Sequence, residues 1–232
     1  GVNYANDYSD GVRGTDDVRT GPPRLTGGGK TPARTVKLAA FGCFGLAAVA
    51  GLALVARAGV WWFLVVGAAA VVSAWYYTGG KNPYGYLGLG EVFVFVFFGL
   101  VATAGTTYTQ ALAVPWTAWA GAGGVGLIAC ALLMVNNIRD IPTDAVAGKR
   151  TLAVRLGDRA ARRAYLGLLA VPLALGLLCA LVSPLAFGVL VLVPWVVALS
   201  RPVLAGARGR DLIRVLAGTG RLDRKSTRLN ST

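Results

Sequence analysis

The stretch WTAWAGAGGVGLIACALLMVNNIRDIPTDAVAGKR, residues 116–150, decides the fold of this chain. Its first part is a predominantly apolar run of about 20 residues, the length at which an α-helix crosses a bilayer. Its second part is polar and places Asp140 and Asp144 beside several basic side chains. The stretch therefore predicts a membrane-spanning helix that ends in a cluster of ionisable groups.

The composition of the whole chain is that of a polytopic membrane protein. Of its 232 residues, 55% are hydrophobic and only 14% are charged, whereas soluble domains are usually about a quarter charged. Long apolar runs recur, and they lack the alternation that marks β-barrel strands. We therefore predict an all-α transmembrane helix bundle with about six complete spans. The predicted spans lie at 36–56, 60–78, 91–112, 116–135, 164–182 and 185–204.

The placement of the charges argues for a lipid bilayer and against nucleic acid as the partner. The net charge is +13, but the basic residues lie between the apolar runs, and Arg57 alone among them falls in a short connection. By the positive-inside rule, the long connections, which hold almost all the ionisable groups, face the cytoplasm. We expect a further group to be solvated loop charges that only help to fix this topology: Arg159, Arg162, Arg163 and Arg208.

Several kinds of site are excluded by the sequence. The chain has no His, which removes catalytic triads that use His and any His-based metal site. GAGGVG at 121–126 matches a dinucleotide-binding pattern but lies inside an apolar span, where small residues favour close helix packing. GGGKT at 27–31 would need Gly at position 24 to match a phosphate-binding P-loop, and that position is Arg24.

The polar part of the opening stretch carries an asparagine and two aspartates at a helical spacing. Asn136, Asp140 and Asp144 recur every four residues, so on a helix they share one face with a drift of roughly 40° per step. We expect Pro142 to kink or end that helix near Arg139, because proline lacks the N–H that a continuous helix uses.

A second stretch, NYANDYSDGVRGTD at 3–16, also combines an asparagine with several aspartates: Asn6, Asp7, Asp10 and Asp16. Carboxylates gathered on one side of a membrane repel one another. A hard divalent cation such as Mg²⁺ removes that repulsion, since it takes oxygen ligands and keeps positions for water and phosphate. Mg²⁺ and fixed cations together suit a diphosphate leaving group. The nearby bases are Arg13, Arg24, Lys81, Lys149 and Arg150.

These motifs resemble those of the UbiA superfamily of intramembrane prenyltransferases. NDYSDGVRGTD at 6–16 is similar to the first aspartate-rich motif, NNIRDIPTDAVAGKRTLAVRLG at 136–157 to the second, and YTGGK at 77–81 to a smaller Tyr-x-x-x-Lys motif. GTD at 14–16, GPPR at 21–24 and GLGEVFVFVFFG at 88–99 are similar to the branch that acts on 1,4-dihydroxy-2-naphthoate. The resemblance extends over nearly the whole chain, to about residue 222.

The resemblance implies a fold and a reaction. The family fold has nine transmembrane helices around a central cavity, which makes 1–222 a domain truncated at both ends and 223–232 a polar, non-native tail. The implied reaction is Mg²⁺-dependent transfer of a polyprenyl group from polyprenyl diphosphate to an aromatic acid, here 1,4-dihydroxy-2-naphthoate, with decarboxylation to a demethylmenaquinone. The implied location is a bacterial plasma membrane, with the active site facing the cytoplasm.

The resemblance also implies roles for individual residues. It implies Mg²⁺ ligation by Asn6, Asp7, Asp10, Asp16, Asn136, Asp140 and Asp144, among which Asp10, Asp140 and Asp144 are the catalytic acids. It implies diphosphate contacts by Arg24, Tyr77, Lys81, Lys149 and Arg150. Two alternatives remain open. One is another aromatic acceptor such as 4-hydroxybenzoate, and the other is a cation-coupled secondary transporter, since acids at helix ends can bind a coupling cation.

Overall fold

The computed structural model describes residues 1–15 and 24–229, and it places no strand within those ranges. Their helices confirm the all-α architecture. In chain order the α-helices are α1 Val2–Arg13, α2 Ala33–Ala58, α3 Phe63–Tyr76, α4 Gly90–Val94, α5 Gly105–Ala111, α6 Trp116–Val146, α7 Leu152–Leu178, α8 Val193–Leu204 and α9 Arg210–Leu229. A π-helix, Phe95–Ala104, joins α4 to α5, and 3₁₀ turns occupy Tyr84–Leu87, Cys179–Leu181 and Pro184–Leu192.

Five helical stretches of the described chain are long and apolar enough to cross a membrane. They are Ala33–Ala58, Gly90–Ala111, Trp116–Val146, Leu152–Leu181 and Pro184–Leu204.

The sixth predicted span, at 60–78, is shorter than expected. It forms only α3, which has 14 residues and is therefore about 21 Å long at 1.5 Å per residue, less than the roughly 30 Å of a bilayer core. Left-handed glycines bound this region, Gly59 with φ 70° and Gly80 with φ 76°. The turn at Gly59 caps α2 and so prevents that helix from continuing into this apolar region.

Pro142 does not end its helix, so the expected end near Arg139 is wrong, while the expected kink stays a prediction. α6 continues through Pro142 to Val146. The fixed φ of proline is itself a helical value, and only one backbone hydrogen bond is lost at that point. Ending the helix there would leave several more backbone groups unpaired at the membrane. The polar segment is consequently helical as far as Val146, and Asp140 and Asp144 lie one turn apart on α6.

The chain divides into two compact units, and each is described by itself. The first comprises Gly1–Gly90 and Thr143–Thr151. In it α1 packs against α2 and α3, and Ala5, Val36 and Ala40 are buried. The outer face of α2 exposes large apolar side chains, including Leu46 and Val49, as expected of a helix that faces lipid.

The second unit comprises Glu91–Pro142 and the described residues from Leu152 onward. Its core contains Met134, Tyr165, Leu169 and Leu212, contributed by α6, α7 and α9. The buried hydroxyls of Tyr165 and Thr219 are 2.8 Å apart and share a hydrogen bond. The polar group of each is therefore satisfied inside the apolar core.

Arg162 is not a solvated loop charge, which corrects that expectation. It lies on α7 and is buried. Its guanidinium donates to the carbonyls of Val203 at 2.7 Å and Ala207 at 3.0 Å, and it pairs with Asp158 at 2.8 Å. It therefore binds carbonyl groups at and just beyond the C-terminal end of α8, where the regular backbone hydrogen bonds of a helix stop. Arg159, Arg163 and Arg208 are exposed.

Candidate functional site

Helix α1 carries most of the first polar motif. It ends at Gly14, whose φ of 72° is left-handed and whose N–H closes the last turn. Asp7 and Asp10 are each only 5% exposed. Buried carboxylates of this kind need hydrogen-bond donors or counter-charges, and the two aspartates obtain them from different parts of the first unit.

Asp10 lies in a three-membered cluster with Tyr86 and Lys149. The Tyr86 hydroxyl donates to Asp10 Oδ1 at 2.6 Å, and Lys149 Nζ lies 3.5 Å from Asp10 Oδ2. The same ammonium sits over the Tyr86 ring, 4.7 Å from its centroid. An acid of the first motif and a base of the second are thus held together by an aromatic residue that belongs to neither.

The surroundings of Lys149 keep its side chain cationic. Burial alone would lower its pKa, but the interactions with Asp10, Tyr86 and Asp144 together outweigh burial and hold the pKa above its ordinary value of 10.5. The phenol of Tyr86 behaves oppositely, because burial and the neighbouring Asp10 raise its pKa. At neutral pH the cluster therefore contains an ammonium and a neutral phenol.

The segment that follows α6 is tied to the same cluster through its backbone. The N–H of Lys149 donates to the carbonyl of Asp144 at 2.8 Å, and the N–H of Arg150 donates to the carbonyl of Tyr86 at 2.9 Å. These bonds bring Asp144, Lys149 and Arg150 into one unit with Asp10.

The turn with Tyr77 and Lys81 is also fastened to α1. Arg13 donates to the carbonyls of Thr78, at 2.6 Å, and Gly80. Thr78 Oγ1 in turn donates to Asn6 Oδ1 at 3.0 Å. The first unit therefore brings the Tyr-x-x-x-Lys turn to the polar face of α1.

Asp7 has different partners from Asp10, although both are on α1. Its Oδ1 accepts the N–H of Thr26 at 2.8 Å and its Oδ2 accepts the N–H of Leu25 at 3.0 Å. Burial alone would raise the pKa of Asp7, but these two N–H groups and the charge of Arg24 hold it below 3.8. Asp7 is therefore ionised at neutral pH and bound to the backbone of the loop that begins at Arg24.

Asn136 and Asp140 lie in the second unit, with Arg139. The guanidinium binds both oxygens of Asp140, at 2.7 and 2.5 Å, and Asn136 Oδ1 at 2.9 Å. Near them Asn137 Nδ2 donates to the buried Glu91 carboxylate at 3.1 Å. Asp140 thus has its own counter-cation, as Asp10 has in the other unit.

The oxygen donors of α1 fit a hard cation by their chemistry. Asn6 Oδ1 and the Asp10 carboxylate are one turn apart, and Mg²⁺ commonly takes only a few protein oxygens and completes its shell with water and substrate phosphate. Within residues 1–15 and 24–229, no three His, Cys, Asp or Glu side chains cluster as metal ligands would. Asp16, a predicted ligand, and most of GPPR at 21–24 lie outside the described residues.

Sequence reasoning did not single out Tyr86, Thr78 or the pairing of Arg139 with Asp140. Arg139 had a local signal, because it adjoins Asp140 in the sequence. Tyr86 and Thr78 had no local sequence signal, since their hydrogen-bond partners on α1 are 76 and 72 positions away. Only the packing of α1 on α3 and its following turn brings them to the motif.

Comparison with known proteins gives an independent account of the chain. Residues 1–227 match the UbiA prenyltransferase family. A 1,4-dihydroxy-2-naphthoate octaprenyltransferase of Mycobacterium tuberculosis is 52% identical over 95% of this chain and 75% of that protein. The enzyme of the same name from Mycobacterium leprae is 48% identical over 95% of this chain and 74% of its own length. One of Escherichia coli is 42% identical over 72% of this chain and 56% of its own. No solved structure matches.

Proposed function

This chain belongs to the UbiA prenyltransferase family, and on that premise we propose that it transfers a polyprenyl group from polyprenyl diphosphate to 1,4-dihydroxy-2-naphthoate. The observation that carries this proposal is the 52% identity over 95% of the chain to an enzyme named for that acceptor. The protein is a multi-pass membrane prenyltransferase, which argues against the transporter alternative. The relatives named for 1,4-dihydroxy-2-naphthoate favour that acceptor over 4-hydroxybenzoate.

The first unit supplies cations for the diphosphate. Lys149 is held between the Asp10 carboxylate and the Tyr86 ring, so little side-chain entropy is lost when it contacts an anion. Arg150 is fixed beside it through the carbonyl of Tyr86. Lys81 follows the turn that Arg13 fastens to α1, and Arg24 begins the loop bound by Asp7. We propose that these four bases and Tyr77 bind the diphosphate oxygens.

We propose Mg²⁺ ligands within each unit taken by itself: Asn6, Asp10 and Asp144 in the first unit, and Asn136 and Asp140 in the second. Asp16 is proposed as a ligand on the resemblance to the family alone. A bound Mg²⁺ would supply Lewis-acid stabilisation of the charge on the departing diphosphate. Lys149 and Arg139 would then also serve a second purpose, because they neutralise Asp10 and Asp140 whenever no metal is bound.

The chemistry follows from charge. When the allylic C–O bond breaks, its electron pair leaves with the diphosphate, where fixed cations stabilise it. In the electron-rich naphthoate, the ring carbon that bears the carboxylate forms the new bond to the allylic carbon. The carboxylate then leaves the same ring carbon as carbon dioxide. The product is a prenylated naphthoquinol, a demethylmenaquinone in its reduced form. Exclusion of water by the apolar helices would protect the allylic cation from hydrolysis.

We also propose a bacterial plasma membrane as the location, with the polar motifs on the cytoplasmic side. The distribution of Lys and Arg supports this orientation by the positive-inside rule. The polyprenyl tail would lie among the spans, while its charged head meets the motifs at the interface.

The experiment supplies membranes containing this chain with Mg²⁺, a polyprenyl diphosphate and either 1,4-dihydroxy-2-naphthoate or 4-hydroxybenzoate. We expect a decarboxylated prenyl product from the naphthoate only, detected by mass spectrometry. A product from 4-hydroxybenzoate alone would overturn the proposal that the naphthoate is the acceptor. Unchanged turnover in Asp10→Asn would overturn the proposed role of that carboxylate.

A further inference from the structure

The loop at 24–31 is closed by its own backbone. The carbonyl of Leu25 accepts the N–H groups of both Lys30 and Thr31 at 3.0 Å. The N–H of Gly28 donates to Arg24 at 3.1 Å, and that of Gly29, whose φ is 65°, donates to Thr26 at 3.0 Å. These bonds give the 24–31 loop a defined shape, but they do not attach it to the rest of the first unit.

Asp7 provides that attachment. Both of its carboxylate oxygens are engaged by loop N–H groups, at 2.8 and 3.0 Å, and the side chain is 5% exposed. Hydrogen bonds to an ionised group are stronger than those between neutral groups. If Asp7 turned toward a metal ion, the N–H groups of Leu25 and Thr26 would lose these acceptors, which carries a desolvation cost.

Gly11 provides independent evidence that α1 and the 24–31 loop are in close contact. A Cβ at Gly11 would lie 2.6 Å from Thr26 Cβ and 2.9 Å from the backbone nitrogen of Gly27. Only glycine permits this approach, one helical turn beyond Asp7 on α1. The loop is therefore held at two points on the helix that also presents Asn6 and Asp10.

We propose that Asp7 is a positioning residue for the diphosphate site and not a metal ligand. It holds the 24–31 loop against α1 so that Arg24, at the start of the loop, is placed to bind the diphosphate. The identity of the anion rests on the proposed function, whereas the attachment of the loop does not.

A first measurement needs neither metal nor turnover. The whole chain in detergent is treated briefly with trypsin, and cleavage after Arg24 and Lys30 is quantified by mass spectrometry. We expect Asp7→Asn to accelerate both cleavages by about tenfold, the size of one charge-assisted hydrogen bond, and Asp7→Ala by at least as much. Asp10→Asn and the exposed Asp211→Asn are matched controls that should cleave like the wild type. Wild-type cleavage rates in both Asp7 variants would overturn the proposal.

A second measurement links the loop to the anion. Inorganic pyrophosphate, added without metal, should slow cleavage after Arg24 in the wild type but not in Asp7→Asn. The absence of protection in the wild type would overturn the role of Arg24 at the anion, even if the chain proved inactive in the naphthoate assay.

The kinetic test separates positioning from metal binding. Asp7→Asn should raise the KM for polyprenyl diphosphate by about tenfold, with kcat and the Mg²⁺ concentration for half-activation unchanged. Asp10→Asn should raise the Mg²⁺ requirement. In an Arg24→Ala background, Asp7→Asn should have no further effect on KM, as expected of residues that act as one unit. A higher Mg²⁺ requirement in Asp7→Asn, or additive effects of the two substitutions, would overturn the proposal.

Discussion

Replacing Tyr86 by Phe removes one hydroxyl from the centre of the first unit and leaves its ring in place. That hydroxyl donates to Asp10 Oδ1 at 2.6 Å, a length typical of a hydrogen bond to a carboxylate. Hydrogen bonds to charged groups contribute about 1.5–3 kcal/mol. We take the lower end, because Lys149 remains beside Asp10. The expected loss in kcat/KM is therefore about tenfold.

Tyr86→Leu should cost more than Tyr86→Phe. Leucine also removes the ring that lies 4.7 Å from Lys149 Nζ, a cation–π contact worth about 0.5–2 kcal/mol. The additional loss should appear as a higher KM for polyprenyl diphosphate, since Lys149 is the group that loses its support. The carbonyl of Tyr86 still receives the N–H of Arg150 in both variants.

The assay is steady-state prenyl transfer in membranes at saturating 1,4-dihydroxy-2-naphthoate. Tyr84→Phe is the matched control, because Tyr84 lies on the same 3₁₀ turn and its hydroxyl donates to the carbonyl of Ser73 at 2.8 Å. Phenylalanine keeps the ring that contacts Tyr77. That variant should keep wild-type kcat/KM. A Tyr86→Phe enzyme with full activity, or equal losses in the Tyr84 and Tyr86 variants, would refute the reasoning.

Three further predictions concern a cation, a helix contact and a buried arginine. Lys149→Met should raise the KM for polyprenyl diphosphate by about tenfold or more, and Lys149→Arg by less, in the same assay; equal KM values would contradict the role of the charge. Gly99→Ala should lower stability by about 1–3 kcal/mol, because its Cβ would lie 2.6 Å from Gly126 Cα. Gly123→Ala is its control, with the nearest atom at 3.4 Å, and thermal unfolding in detergent separates the two. Arg162→Ala should cost about 3 kcal/mol in the same measurement, since the carbonyls of Val203 and Ala207 each lose a hydrogen bond from a charged donor; an unchanged unfolding midpoint would show that water replaces the guanidinium.

The helical architecture was predictable because the bilayer imposes one solution on long apolar runs. Backbone groups must be paired within each segment, so apolar runs of sufficient length become helices. The length of α3 was less predictable, since hydropathy does not register the left-handed turns at Gly59 and Gly80. The continuation of α6 through Pro142 was not predicted. The rule for isolated helices counts the one hydrogen bond that proline removes and ignores the backbone hydrogen bonds that a continuous helix keeps.

The residues of the polar motifs could be selected from the sequence, but their partners could not. Spacing is enough to identify Asn6, Asp10, Asp140 and Asp144, because helical periodicity is local. The bond from Tyr86 to Asp10 joins residues 76 positions apart, and no local pattern encodes it. The burial of Arg162 was missed for the same reason, since its carbonyl partners are 41 and 45 residues away.

The sequence by itself determined the apolar spans and the two motifs that bring acids and bases together, and from the placement of the charges it predicts which side faces the cytoplasm. What only the tertiary structure decided is the assignment of those charges to one another. Asp7 and Asp10 are three residues apart on α1, yet one faces the N–H groups of a loop and the other a phenol and an ammonium. The two side chains are chemically identical, so the groups that packing places opposite each carboxylate set its freedom to meet a cation and its part in the reaction.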